Sequence, residues 1–315
     1  MALVNNCDGR HGGGCSTGDE YVLFTIPFSH YNEHARWAMH SCEACEEGAD
    51  ASFGSFTERA YLVGIHAMSA LSPIPELRAR ARAKNLTETP LLARVKRTTS
   101  LGWWNASEDL EVVAINSWEV ASKAANIRRV EPVSDNLKEL LDNVVGPAAR
   151  TIVYSHLLKD DAGDAAMCVF CLAPEISWWQ RLLFSIKPFR EQVRQRIHKG
   201  LVRSDAYVEK KRNQLDEALK ELERMVDTQT HTFGIAKDGK PTPALIALAS
   251  VTAPLVCPPE FSIPFYGRNV FDLQGLPPLM REDVLRYRET RIGQVCMETY
   301  RKHRLDYATP CTGKL

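Results

Sequence analysis

The chain has 315 residues, 39 basic and 39 acidic side chains, and a formal net charge of zero. That length, about twice a typical domain of ~150 residues, predicts two domains that each bury a core. Balanced charge removes the usual electrostatic case for a nucleic-acid or anionic-membrane binder, and 44% apolar with 25% charged residues argues against a largely disordered chain.

Residues 1–18 contain Gly12-Gly13-Gly14 and no apolar run. A signal peptide needs roughly 7–15 apolar residues and a transit peptide is Arg-rich, so this segment is expected to be a mobile tail. Residues 21–26 are β-branched and aromatic and stop at Pro27, which predicts a short buried strand. Ser29 then stands in an N-cap position, and Tyr31, Ala35, Ala38 and Met39 recur at helical spacing. A polar stretch over 45–54 and a less regular region to Asn85 follow. Residues 89–95 read as a strand entered through Pro90, and 110–115 as another strand after a loop insertion over 98–109. Asn116-Ser117 opens a helix through residue 125. Residues 126–136, with Arg128-Arg129, Pro132 and the cap candidate Ser134, read as a linker.

Beyond it the pattern is almost wholly helical. Val208, Leu215, Leu219, Leu222 and Val226 form an apolar stripe between charged residues. The uncharged stretch 241–259 is interrupted by prolines and diluted by Thr and Ser, so it reads as a buried core helix rather than a membrane span. Residues 280–304 form a long charged helix pattern with a break near Gly293. The expected organisation is a tail over 1–18, an α/β domain over 19–126 and an all-helical domain over 127–315.

The nine cysteines are odd in number and scattered, which fits a reducing, cytoplasmic setting rather than a disulfide framework. The pairs Cys42/Cys45 and Cys168/Cys171 lie much further apart than the ~15–20 residues of a zinc ribbon. Cys168/Cys171 sits in an apolar stretch and reads as core thiol. Cys42/Cys45, among glutamates, reads as more exposed and open to redox chemistry. His30 and His34 share a helix face at i, i+4, a spacing that permits metal ligation. With no third ligand in view they read as surface histidines, and no metal is expected.

Local motifs then add a resemblance. Ile26-Pro27-Phe28-Ser29-His30-Tyr31-Asn32-Glu33-His34-Ala35-Arg36-Trp37 resembles the first strand-to-helix turn of the glutathione transferases, in which a Ser or Cys begins the helix and an Arg-Trp pair follows. Thr89-Pro90-Leu91-Leu92 resembles the cis-proline turn of thioredoxin folds. Asn116-Ser117 resembles the acidic-Ser pair that grips the γ-glutamyl end of glutathione. Gly146-Pro147-Ala148-Ala149-Arg150, the helix over 241–255 and Tyr300-Arg301-Lys302-His303-Arg304 look like a branch of fungal and algal glutathione-transferase-like proteins. These motifs span residues 20–305.

The resemblance implies a thioredoxin-like N-terminal domain followed by a glutathione-transferase-type helical domain, of a divergent serine type. It implies glutathione as co-substrate, conjugation to a hydrophobic electrophile, a detoxification role and a homodimer. Ser29 would donate to the thiolate, whose free pKa of about 8.5 a helix N-terminus lowers. Thr89 and Pro90 would pair with the cysteinyl backbone, and Asn116 with Ser117 would hold the γ-glutamyl end. Tyr31, Tyr154, Trp178 and Trp179 would wall the second-substrate cleft.

The same residues have plainer readings. Ser29 and Ser117 serve as helix caps, and Pro90 shapes its turn with or without a ligand. Trp178-Trp179 with Leu182-Leu183-Phe184 reads as helix core, as a dimer face, or as a membrane-surface contact flanked by Arg181 and Lys187.

Three departures favour a non-catalytic binding or assembly module of the same fold. Asn116 replaces an acid, at a cost of ~1 kcal/mol for the neutral contact. Leu245 replaces the acid that completes a capping box with Thr242. Insertions before Pro90 and between Arg97 and Leu110 stand beside the expected site. A disulfide reductase is the third reading, disfavoured because Ser29 and Asn32 occupy both positions of the redox pair.

Overall fold

The computed structural model describes residues 21–43, 56–60, 90–96 and 109–305. The expected tail, Thr89, Cys45 and the 98–108 part of the insertion lie outside them. Strands β1 (Tyr21–Thr25), β2 (Phe56–Ala60), β3 (Leu91–Lys96) and β4 (Asp109–Ile115) form one sheet in the order β2-β1-β3-β4. β2 runs parallel to β1 after the crossover helix α1 (His30–Glu43), while β3 and β4 pair antiparallel. Helix α2 (Ser117–Arg128) closes the unit, which is the expected thioredoxin-like arrangement.

β-branched and aromatic residues make β1, and Val22, Leu23 and Phe24 are buried. Leu23, Leu92 and Ala114 pack under Ala35, Ala38 and Met39 of α1 and Val120, Ala121 and Ala124 of α2. Cys42 is fully buried there, its thiol donating to the Ala124 carbonyl at 3.4 Å. The expectation of an exposed, redox-capable Cys42 is therefore corrected: the α1–α2 contact removes it from solvent. β2 was not expected, because Glu58 and Arg59 dilute its pattern; Glu58 tolerates burial chiefly through the Arg36 guanidinium, 2.6 Å away.

The helical part comprises α3 (Asp135–Leu140), a π turn (Leu141–Val145), α4 (Gly146–Leu157), α5 (Asp160–Cys171), α6 (Trp178–Ser185), α7 (Lys187–Leu201), α8 (Asp205–Thr228), α9 (Pro243–Val256), the short α10 (Ile263–Tyr266), α11 (Pro278–Glu289) and α12 (Arg291–His303). The turn over 141–145 precedes Pro147, whose missing N–H and bulky ring disturb the preceding i to i+4 bonding. α9 is buried along its whole length, between α1, α4, α11 and α12, which accounts for its lack of charge. Thr242 caps it, its hydroxyl accepting from the Leu245 N–H at 3.3 Å; this is the half of the capping box that survives.

The break expected near Gly293 falls at Thr290, whose hydroxyl accepts from the Gly293 N–H at 3.0 Å and caps α12. α2 runs on to Arg128, so the connection between the two parts is shorter than expected.

Two buried charge clusters join the parts. Arg128 forks onto Asp238 at 2.9 and 3.1 Å, and donates to the Pro241 carbonyl at 2.9 Å and the Ser41 hydroxyl at 3.3 Å. Glu33 of α1 sits between Arg36 at 2.6 Å and Arg304, just past α12, at 2.5 Å. Arg36 also binds Glu58, which accepts from the Thr25 hydroxyl. Each carboxylate has a guanidinium partner, the condition under which buried charge is tolerable.

Candidate functional site

Strand register assembles the site. The β1–β3 pairing sets Phe24 opposite Leu91, and the β3–β4 pairing sets Leu91 opposite Ile115. The Asn116 N–H donates to the Pro90 carbonyl at 2.8 Å. The end of β1, the start of β3 and the end of β4 therefore meet at one end of the sheet. The Ser29 turn, Pro90 and Asn116-Ser117 converge there, although they are far apart in sequence. The N-termini of α1 and α2 open at the same end, a pairing of helix dipoles that favours negative charge.

Ser29 is half-buried. Its carbonyl accepts from the Glu33 N–H at 2.9 Å, which makes it the backbone cap of α1. Its hydroxyl has no hydrogen-bond partner among the described residues, so it is spared for another acceptor. Asn116 sits at φ 72°, a left-handed conformation that Asn adopts more readily than most residues. Its amide oxygen accepts from the Trp118 and Glu119 N–H groups, each at 3.0 Å. Helix capping and backbone shape thus explain Asn where the resemblance expects an acid. Ser117 is buried, and its hydroxyl finds no hydrogen-bond partner among the described residues.

His30 and His34 are not surface residues. Both are buried, and burial pushes each imidazole down to about 3; Arg150 and His34 push His30 further in the same direction. They are neutral at physiological pH. His30 stacks on Tyr31 with centroids 4.2 Å apart, and His34 meets Trp118 edge-on at 4.8 Å. Among the described residues, both His34 nitrogens and His30 Nε2 lack hydrogen-bond partners. Among the described residues no group of three or more His, Cys, Asp or Glu side chains is placed to hold a metal.

Between the two parts lies a narrow apolar cavity of about 40 Å³, room for a few waters. Phe28, Tyr154, Met167 and Phe170 line it with Phe271, and the rings of Phe28, Phe170 and Phe271 follow one another at 5.2 and 5.1 Å. His30 and Arg150 supply its polar groups. Arg150 forms no ion pair among the described residues, and its Nε is buried without a partner. Burial pushes the Tyr154 phenol up to about 12, so it stays protonated.

Of the four expected cleft walls, only Tyr154 lines this cavity. Tyr31 turns instead to the π turn, donating to the Asp142 carbonyl at 3.2 Å. Trp178 and Trp179 lie on α6 away from the cavity, and Trp178 is largely exposed, which also removes it from any helix core.

Arg150 and Phe28 are among the lining residues not anticipated in sequence. The available signal was spacing: Arg150 stands at i+4 from Gly146, where an added Cβ would lie 3.1 Å from His30 Nε2 and closer still to the Tyr31 hydroxyl. The helix face that packs on α1 is the face that carries Arg150.

No family model and no curated protein matches the chain. Among solved structures it is similar to glutathione transferase Omega 2S from Trametes versicolor in complex with 2,4-dihydroxybenzophenone, at 13% identity over 93% of this chain and 94% of that one, with a TM-score of 0.39. A second crystal structure of that protein matches at 14% identity over 93% and 92%, with a TM-score of 0.38.

Proposed function

We propose that the chain binds glutathione at the shared end of the sheet and conjugates it to a small apolar electrophile. The observation that carries this reading is the convergence of the free Ser29 hydroxyl, Pro90 and the Asn116-Ser117 helix start beside an apolar cavity. Two helix N-termini and the unpaired Arg150 make that end electropositive, which lowers a thiol's pKa. The glutathione thiol loses its proton to solvent, and the Ser29 hydroxyl donates to the resulting thiolate. The sulfur then attacks an electrophilic carbon, forming an S–C bond as the leaving group departs with its electron pair. Ser117 and the α2 N-terminus receive the γ-glutamyl carboxylate, and Thr89 with Pro90 the cysteinyl backbone. Met167, unbranched and pliable, is the wall that yields to a second substrate.

The test is glutathione binding by calorimetry together with conjugation to an aryl halide. Ser29→Ala should lower kcat/KM by about 100-fold while changing glutathione affinity little, a loss of ~3 kcal/mol in the transition state. Wild type that neither binds glutathione nor conjugates would sink the enzyme.

A second reading has its own observation. Asn116 gives its amide oxygen to capping α2 and so serves the fold without a ligand, and burial keeps the Ser117 side chain from solvent. This favours a non-catalytic module of the same architecture, for which Ser29→Ala leaves every binding readout unchanged.

A further inference from the structure

α6 presents an apolar face to solvent. Gln180 and Phe184 point inward, and Gln180 donates to the Ala60 carbonyl on β2 at 2.9 Å. On the outer side Trp178 is 70% exposed, Leu182 59%, Leu183 40% and, just beyond the helix, Ile186 50%. A contiguous apolar ridge on an exposed helix marks an interaction surface.

Charge identifies its partner. Residues 178–203 carry seven Lys and Arg against one acid, Glu191, in a chain whose charges cancel overall. Arg190 is neutralised by Asp164 at 2.7 Å and Arg194 by Glu191 at 2.6 Å. Arg181, Lys187, Arg196 and Lys199 form no ion pair among the described residues, although Lys187 lies near enough to Asp164 to add to the hold that Arg190 has on its carboxyl. Arg181 and Lys187 flank the ridge directly, while Arg196 and Lys199 add exposed charge along α7.

We propose that α6 and α7 anchor the protein to the surface of an anionic phospholipid bilayer. Trp178 and the leucines would sit at the headgroup–acyl boundary, where tryptophan is favoured, while the cations meet lipid phosphates. A second copy fits less well. Twofold contact sets a patch against itself, so Arg181 and Lys187 would face the same cations across the interface. No helix among the described residues is long and apolar enough to cross a membrane, so the contact lies on its surface.

The experiment is co-sedimentation of the full chain with vesicles of phosphatidylcholine alone or with about one third phosphatidylserine. Binding to the anionic vesicles alone, lost on adding salt, is the expected result. Arg181→Gln and Lys187→Gln should each weaken it about fivefold, and Trp178→Ser with Leu182→Ser should abolish it, with circular dichroism and elution volume unchanged. Equal binding to both vesicle types, no binding, or insensitivity to the Trp178 and Leu182 changes would overturn the proposal. So would a dimer in light scattering that Trp178→Ser disperses, which would make the occupant a second copy.

Discussion

His30, His34 and His40 lie along α1 with their rings out of water, and the cost of charging them there has a consequence in solution. Burial lowers the first two to about 3; His40 is held well below its ordinary value by burial, then by Arg304 and Arg36. The unfolded chain takes up protons below about pH 6.5, while the folded chain keeps the His30 and His34 rings neutral down to about pH 3 and holds His40 well below its ordinary value. Stability is therefore fully present above pH 6.5 and falls on acidification, by about 1 kcal/mol per pH unit for each ring. Urea midpoints at about pH 7.5 and 5.5 should show the drop, and His34→Leu should shrink it. A midpoint that does not move between those values would mean that the rings reach water. The i, i+4 spacing of His30 and His34 was visible in sequence, but their burial was not. It depends on Trp118 and Tyr31, which only the packed elements bring to them.

Elements were legible in proportion to how far local residues decide them. β1, β3 and β4 carry β-branched and apolar runs and stand within about two residues of their expected limits. β2 escaped because its buried Glu58 answers a distant Arg36. The uncharged α9 was recognised for the reason that it is buried on every side. α6 carries its apolar residues outward, so an apolar pattern suggested core where the helix has surface. The α11–α12 break shows how a correct location can have a different cause. Thr290 makes the break by capping, whereas Gly293 permits it: a Cβ there would lie 1.9 Å from the Tyr287 carbonyl oxygen. Gly293→Ala should cost about 1–3 kcal/mol by overpacking, read as a lowered Tm. An unchanged Tm would show that α12 can pivot away from α11.

At the scale of the whole molecule, two buried ion clusters carry the junction between the sheet and the helices. Breaking such a pair from one side leaves a buried charge alone, at a cost of about 3–5 kcal/mol. Arg304→Ala should therefore destabilise strongly, because Glu33 and Glu58 then share Arg36 alone, and adding Glu33→Gln should restore part of the loss by removing the excess charge. Chemical denaturation of the single and double variants measures that coupling, and strictly additive losses would exclude it. A formal net charge of zero also conceals an uneven distribution. Composition alone argued against an anionic membrane, yet the cations gather on α6 and α7, and a vesicle meets that face rather than the average.

The bond from Arg304 to Glu33 spans 271 residues, and during synthesis at roughly 5–20 residues per second its two ends emerge about 15–50 s apart. Until Arg304 arrives, the amino-terminal sheet holds two carboxylates, Glu33 and Glu58, against the single guanidinium of Arg36. Their charge is balanced only once Arg304 is in place, so a residue just past the last helix completes the ion cluster begun on the first.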